Sequence, residues 1–214
     1  MKFVSALVII FALSFAHAEE KIKWYFNNEE LLKIIEIYSK ASGQKFVIDP
    51  GVRGRVSMFN QEAITVDEAF NQLSSALAIN GFAISKQGDT MIVKSARNIQ
   101  RDLIEVSSEK PSLKPERMYT WVYKAKYVPV ANINRDLRIL PSKDGEMNIS
   151  MDTNQIFITD YVSNINRIAK VLEEVDKPLD AATAKLVKAS RDEHKARRAE
   201  RENKKEEKTK PDSH

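Results

Sequence analysis

Residue types able to do chemistry are few and unevenly placed in this 214-residue chain. Cysteine is absent, and the three histidines are His17, His194 and His214. Residues 19–184 therefore hold no thiol nucleophile, no imidazole for a triad or proton shuttle, and no imidazole ligand for a metal. What remains for bond-making is carboxylate: Glu29-Glu30, Asp49, Asp144, Asp152, Asp160 and Glu173-Glu174. Two carboxylates act as general acid and base only across a cleft. These fall instead at helix starts, turns and solvated helix faces, where capping and helix dipoles already account for them. None has calcium-loop spacing. The pattern argues against an enzyme and calls for no cofactor and no small-molecule substrate.

Three other sets could recognise rather than react. Gly51-Val52-Arg53-Gly54 reads GxxG, the tetrapeptide with which KH domains clamp a nucleic-acid backbone. Here it falls between two strands rather than two helices and follows Asp49-Pro50, so it reads as a turn. Trp24, Tyr25, Phe26 and Trp121 could anchor an interface, although alternate strand residues point opposite ways and about half such rings belong inside. The third set is the tail. From Lys185 to His214 eleven Lys/Arg stand against seven Asp/Glu, while the whole chain carries only +4, so residues 19–184 are nearly neutral. Lys195, Arg197, Arg198, Arg201, Lys204 and Lys205 form an anion-binding candidate. Along the sequence Asp192, Glu193, Glu200, Glu202, Glu206 and Glu207 dilute it.

Two small domains must position these residues. Ile22 to Phe26 suits a half-buried strand, and Asn27 or Asn28 is placed to cap a helix with an apolar stripe of Leu31, Leu32, Ile34, Ile35 and Tyr38, closed by Gly43. Lys45–Ile48 and Arg53–Met58 are strands around the Asp49-Pro50-Gly51 turn. Thr65 and Glu68 form a capping box before the stripe Val66, Ala69, Phe70, Leu73, Ala76 and Leu77. The hairpin Phe82–Lys86 and Thr90–Lys94 ends this βαββαββ module. Residues 96–116, with Pro111 and Pro115, read as a polar linker. A βαββα module follows: strand Met118–Tyr123, helix Val130–Leu140, strands Met147–Met151 and Gln155–Thr159, and the stripe Val162, Ile165, Ile168, Ala169 and Leu172, ending near Pro178. The fold class is α+β, with helices packed on small mixed sheets. The tail beyond Leu186-Val187 has no large apolar face and is expected to be a solvated charged helix or disordered.

At the N-terminus Lys2, the apolar run Phe3 to Phe15 and Ala16-His17-Ala18 make a signal peptide over residues 1–18. The run is too short to span a bilayer, so the mature chain is expected to start at Glu19, in the periplasm.

The order of elements and several strings resemble the periplasmic N0 and N1 domains of type II secretion secretins: KFVIDPGVRGRVSM at 45–58, ALAINGFAISKQGDTMIVK at 76–94, VYKAKYVPVANINRDLRIL at 122–140, MNISMDTNQIFITD at 147–160 and INRIAKVLEEVDKP at 165–178. The resemblance implies an N0-like domain at 19–95 and a KH-like N1 domain at 117–178. It also implies stacking into a ring or homo-oligomer, and contact with secretion-system or envelope proteins, including an inner-membrane component. The strands needed for an outer-membrane barrel are missing after Pro178. The expected function is non-enzymatic protein–protein interaction by strand addition, with Ile22, Trp24, Phe26, Arg53, Val56 and Met58 as the partner surface. The rival is a nucleic-acid or anion binder acting through the tail and the KH-like module.

Overall fold

Apolar residues recurring at three-and-four spacing in 31–38 and 66–77 produce two helices that share a core. In the computed structural model, which describes residues 21–102 and 104–209, with side-chain detail to residue 200 except at 102, 191 and 194, α1 spans Leu31–Ser42 and α2 spans Val66–Ile79. The expected leader lies outside the described residues. α1 buries Leu31, Ile34, Ile35 and Tyr38 and stops at Gly43, which adopts φ 69° and donates its N–H to the Ser39 carbonyl. α2 opens on the Thr65–Glu68 capping box in both directions.

The start of α1 differs from expectation. Asn27 and Asn28 do not cap it, because strand β2 (Phe26–Glu30) runs straight into the helix and Glu30 holds the cap position without a side-chain bond to the helix. The Leu31 N–H is satisfied instead by the Gly54 carbonyl at 3.0 Å. The single strand expected over Ile22 to Phe26 is also two pieces, β1 (Lys21–Ile22) and β2, with 23–25 irregular between them.

Strands of the first module divide among three small sheets rather than one. β1 pairs with β5 (Ile64–Thr65), and β2 pairs with β4 (Arg55–Met58), both antiparallel. β3 (Lys45–Ile48) lies parallel to β7 (Thr90–Ser95), which pairs antiparallel with β6 (Phe82–Gln87). α1 packs on β2 and β3, and α2 on β1, β5 and β6. One core results, centred on Trp24, Leu31, Ile34, Leu73 and Leu77.

The stretch expected to be a linker is folded along much of its length. α3 (Ala96–Asp102) follows β7 directly, and β8 (Glu105–Ser107) adds to the second sheet as an edge strand parallel to β9 (Met118–Lys124). Ala96 and Ile99 explain the helix: both are buried with Ala83 of the first module and with Met118 and Tyr161 of the second.

The second module keeps the expected element order. After β9 come α4 (Val130–Leu137), β10 (Glu146–Ser150), β11 (Gln155–Tyr161) and α5 (Val162–Val175), in a sheet ordered β10-β11-β9-β8. α4 ends short of Leu140, whose N–H turns back to the Leu137 carbonyl at 2.9 Å. Two polar side chains shape the far end of this module. Asp176 accepts from the consecutive N–H groups of Lys126, Tyr127 and Val128 and from the Tyr123 hydroxyl. Asn154, at φ 52°, donates to the Ala125 carbonyl and accepts from the Val130 N–H. Beyond it, α6 (Ala181–Thr209) is a continuous helix whose first turn is capped by Asp180, the acceptor for the Ala182 and Thr183 N–H groups.

Candidate protein-docking site

Strand β4 has β2 as its sole strand neighbour among the described residues, so its second edge offers unpaired backbone groups. The ribbon is held in register by three pairs, Phe26 with Met58, Glu29 with Val56 and Glu30 with Arg55, with a bulge between the first two. Asn28 takes up the bulge at φ 52°, a conformation asparagine tolerates better than most residues. Its N–H donates to the Ser57 hydroxyl at 2.8 Å, and Arg55 donates to the Asn28 carbonyl at 2.8 Å and to the Glu30 carboxylate at 3.0 Å. A short, irregular ribbon is thereby stiffened along one side while the β4 edge stays open.

Alternation on β4 turns Val56 and Met58 toward the core, half-buried, and leaves Arg55 and Ser57 outside. Between β4 and α2 runs a groove of about 600 Å³, lined by Val56, Met58, Phe59, Ile64, Gln72 and Ile79 among others. Phe59 is 64% exposed and lies 5.2 Å from the ring of Tyr25, itself 61% exposed, just past the last ribbon pair. Two aromatic rings held together in water are unusual on a surface without a task, because rings of this kind dominate binding hot spots.

The residues expected to form a partner surface separate into two groups. Trp24 and Phe26 are core: Trp24 is 1% exposed, packs edge-on to Phe26 at 4.8 Å and to Tyr38 at 6.0 Å, and neither ring reaches the surface. The exposed ring of that stretch is Tyr25, which the expected six did not include. Burial over 21–26 alternates, with Lys23 and Tyr25 outside and Trp24 and Phe26 inside, so the expected partner surface had taken the buried set of this stretch. Ile22 is half-buried opposite Ile64 in β1. Val56 and Met58 line the groove, and Arg53 is exposed at the mouth of α1 beside Glu30 and Leu31.

The GxxG string is a packed turn. Val52 is 2% exposed and donates its N–H to the Asp49 carbonyl at 2.9 Å, while Gly51 donates to the Asp49 carboxylate at 2.8 Å. Gly54 sits at φ 139°, and a Cβ there would lie 2.5 Å from the Asn80 side-chain oxygen. This glycine is demanded by close packing, not by an approaching phosphate.

One of the carboxylates organises the second module. Asp160 is fully buried and accepts from the Ser142 N–H and hydroxyl, the Tyr161 N–H and the Asn164 amide. Glu116 caps α5 from outside the helix by accepting from the Ser163 N–H and hydroxyl. Burial raises its pKa, and the Ser163 bonds only partly offset this. Among the described residues no three carboxylates or histidines stand close enough to hold a metal ion. No helix among them is long and apolar enough to cross a membrane. Lys195, Arg197 and Arg198 are exposed on α6; the side chains of Arg201, Lys204 and Lys205 lie outside the described set.

Comparison with known proteins gives a consistent result. Residues 24–93 match the family described as GspD-like, N0 domain. Secretin XcpQ of Pseudomonas aeruginosa is 25% identical over 161 residues, covering 74% of this chain and 24% of that protein. Secretin GspD of Vibrio cholerae is 25% identical over 159 residues, covering 72% and 23%. The chain thus spans about a quarter of the length of the curated relatives it matches. In fold it resembles the Klebsiella pneumoniae type II secretion system outer membrane complex containing PulD, PulS and the PulC HR domain. There the TM-score is 0.63 at 22% identity, over 71% of this chain and 26% of that one.

Proposed function

We propose, from the premise that residues 24–93 are a GspD-like N0 domain homologous to the N-terminal part of secretins, that the chain is a non-enzymatic periplasmic module that binds an inner-membrane secretion component. The observation that carries this reading is the open edge of β4, flanked by a groove and by the exposed Tyr25–Phe59 pair. An extended partner segment laid along β4 would gain main-chain hydrogen bonds, and its alternate side chains would enter the groove over α2. The similar Klebsiella assembly contains the PulC HR domain, and the counterpart of that domain is the partner to test.

Because Trp24 is core, its replacement would report on folding. The test uses Tyr25→Ala and Phe59→Ala, which remove exposed rings, alongside Val56→Pro, which removes an N–H from β4. With folding checked by circular dichroism, calorimetric titration should show the paired ring variant binding at least about tenfold more weakly, the loss of two hot-spot contacts. Wild-type affinity in all three variants would refute the ribbon as the docking site.

A further inference from the structure

Along the sequence the acids of the tail dilute its bases, but a helix re-sorts them. Successive helical residues turn by about 100°, so on α6 positions 191, 194, 198, 201, 205 and 208 fall in one stripe at spacings of three and four. They are Arg191, His194, Arg198, Arg201, Lys205 and Lys208, with Arg197 and Lys204 beside them. The acids Asp192, Glu193, Glu200, Glu202, Glu206 and Glu207 all take the remaining side, together with Lys195, Ala189, Ala196 and Ala199. A sector of about 140° thus carries bases and no acid for roughly 26 Å of helix. Among residues 181–200 whose side chains are described, all are exposed except half-buried Thr183 and Val187, so the described part of each face is open to solvent. Arg197 donates to Glu193 at 2.6 Å, joining the two faces at their boundary.

We propose that α6 is an assembly helix, its basic stripe packing on the acidic side of α6 from a second copy of this chain. The complementary surface is on the helix itself. A basic stripe cannot face its own copy, so the contact is heterologous: each copy gives one face to one neighbour and the other face to the next, which builds a ring or an open array rather than a twofold dimer. The alanines on the acidic side leave room for long Arg and Lys side chains to lie down between the glutamates. An anionic membrane would use the basic stripe alone, and α6 has no apolar face to sink into lipid. Exposed ion pairs are individually weak and screened by salt, so the contact is salt-sensitive and adds to whatever the modules contribute. It is independent of the β4 edge.

The test is sedimentation of the full chain at about 50 and about 300 mM salt, a range over which exposed charges are increasingly screened. Self-association at low salt should be lost at high salt. A variant with Arg198→Glu, Arg201→Glu and Lys205→Glu has two acidic faces; one with Glu193→Lys, Glu200→Lys and Glu207→Lys has two basic faces. Each alone should associate at least about tenfold more weakly, and an equimolar mixture should re-associate because the faces again complement. Circular dichroism verifies that both keep the helix. A monomeric wild type, variants that associate like the wild type, or a mixture that stays apart would overturn the proposal. Loss confined to the basic-stripe variant, with wild-type binding to vesicles containing anionic lipid, would overturn it in favour of a membrane contact.

Discussion

The hydroxyl of Tyr161, in the second module, donates to the backbone carbonyl of Phe82, in the first, at 3.2 Å. Around this bond Ala83, Ala96, Ile99 and Met118 exclude water, and Arg97 reaches across to the Lys143 carbonyl at 2.9 Å and to Asp144 at 3.7 Å. The junction is a small third core, neither a hinge nor a free tether.

Tyr161→Phe keeps the ring and removes one bond, so it should destabilise the chain by about 1 kcal/mol, the typical net value of a hydrogen bond. Hydrogen exchange should speed up in β6 and α3 and stay unchanged in α4. A stability equal to wild type, with unchanged exchange, would show that the bond adds nothing to the apolar contact.

Asp176 provides a pH-dependent clamp. Burial pushes its pKa upward, but the Lys126, Tyr127 and Val128 N–H groups and the Tyr123 hydroxyl favour the ionised form and leave it below the ordinary value. A depressed carboxylate contributes stability that is fully present above its unfolded pKa, about 3.9, and lost as pH falls through the folded value. Asp176→Asn should therefore cost on the order of 2 kcal/mol at neutral pH, and urea midpoints should show the gap to wild type closing below about pH 4.

Glu116 has the opposite sign. Burial is the largest effect on it and raises its pKa. The folded state therefore holds the proton more tightly, and the associated stability is lost as pH rises from the unfolded value, about 4.3, through the folded one. Glu116→Gln stays neutral and can still accept from Ser163, so its stability relative to wild type should improve across that interval and then level off. A relative stability that worsens with rising pH would show that the charged cap on α5 outweighs burial.

The two glycines of the GxxG string should respond unequally. Gly51→Ala meets only the Asp49 side chain at 3.0 Å and should cost under about 1 kcal/mol. Gly54→Ala must relieve contact with Asn80 and Leu31 at φ 139°, and should cost on the order of 2–3 kcal/mol. Equal thermal midpoints for the two variants would count against the packed-turn reading.

How far the sequence could be read depended on the range of the interactions. α1, α2 and α5 were legible because each carries an apolar stripe, a cap or both within its own residues. The βαββα order of the second module was legible for the same reason. What was not legible is decided at a distance. Glu30 takes the cap position of α1 because β4 pairs with the residues before it, and Gly54 supplies the carbonyl. β8 is three residues long and exists only because β9 lies beside it. Trp24 entered the expected partner surface through the family resemblance, and which alternate set of 22–26 faces inward is decided by the distant residues Leu31, Ile34, Leu73 and Leu77 that share its core. Of the candidate site, Val56 and Met58 came with the family resemblance, while Tyr25 and Phe59 become a pair only once the ribbon brings positions 34 residues apart together. The two faces of α6 were present in the spacing all along, hidden because a linear count of charge takes no account of helical turn.

The parallel pairing of β8 with β9 bears on how the chain resists load. A pull that draws the first module away enters β8 at Glu105 and runs along the strand axis. The pairs Glu105–Tyr119, Val106–Thr120 and Ser107–Trp121 are then sheared together and cannot unzip one after another. A mechanical tug between the modules therefore meets two resistances, the junction around Tyr161 and Phe82 and the sheared pairs inside the second sheet.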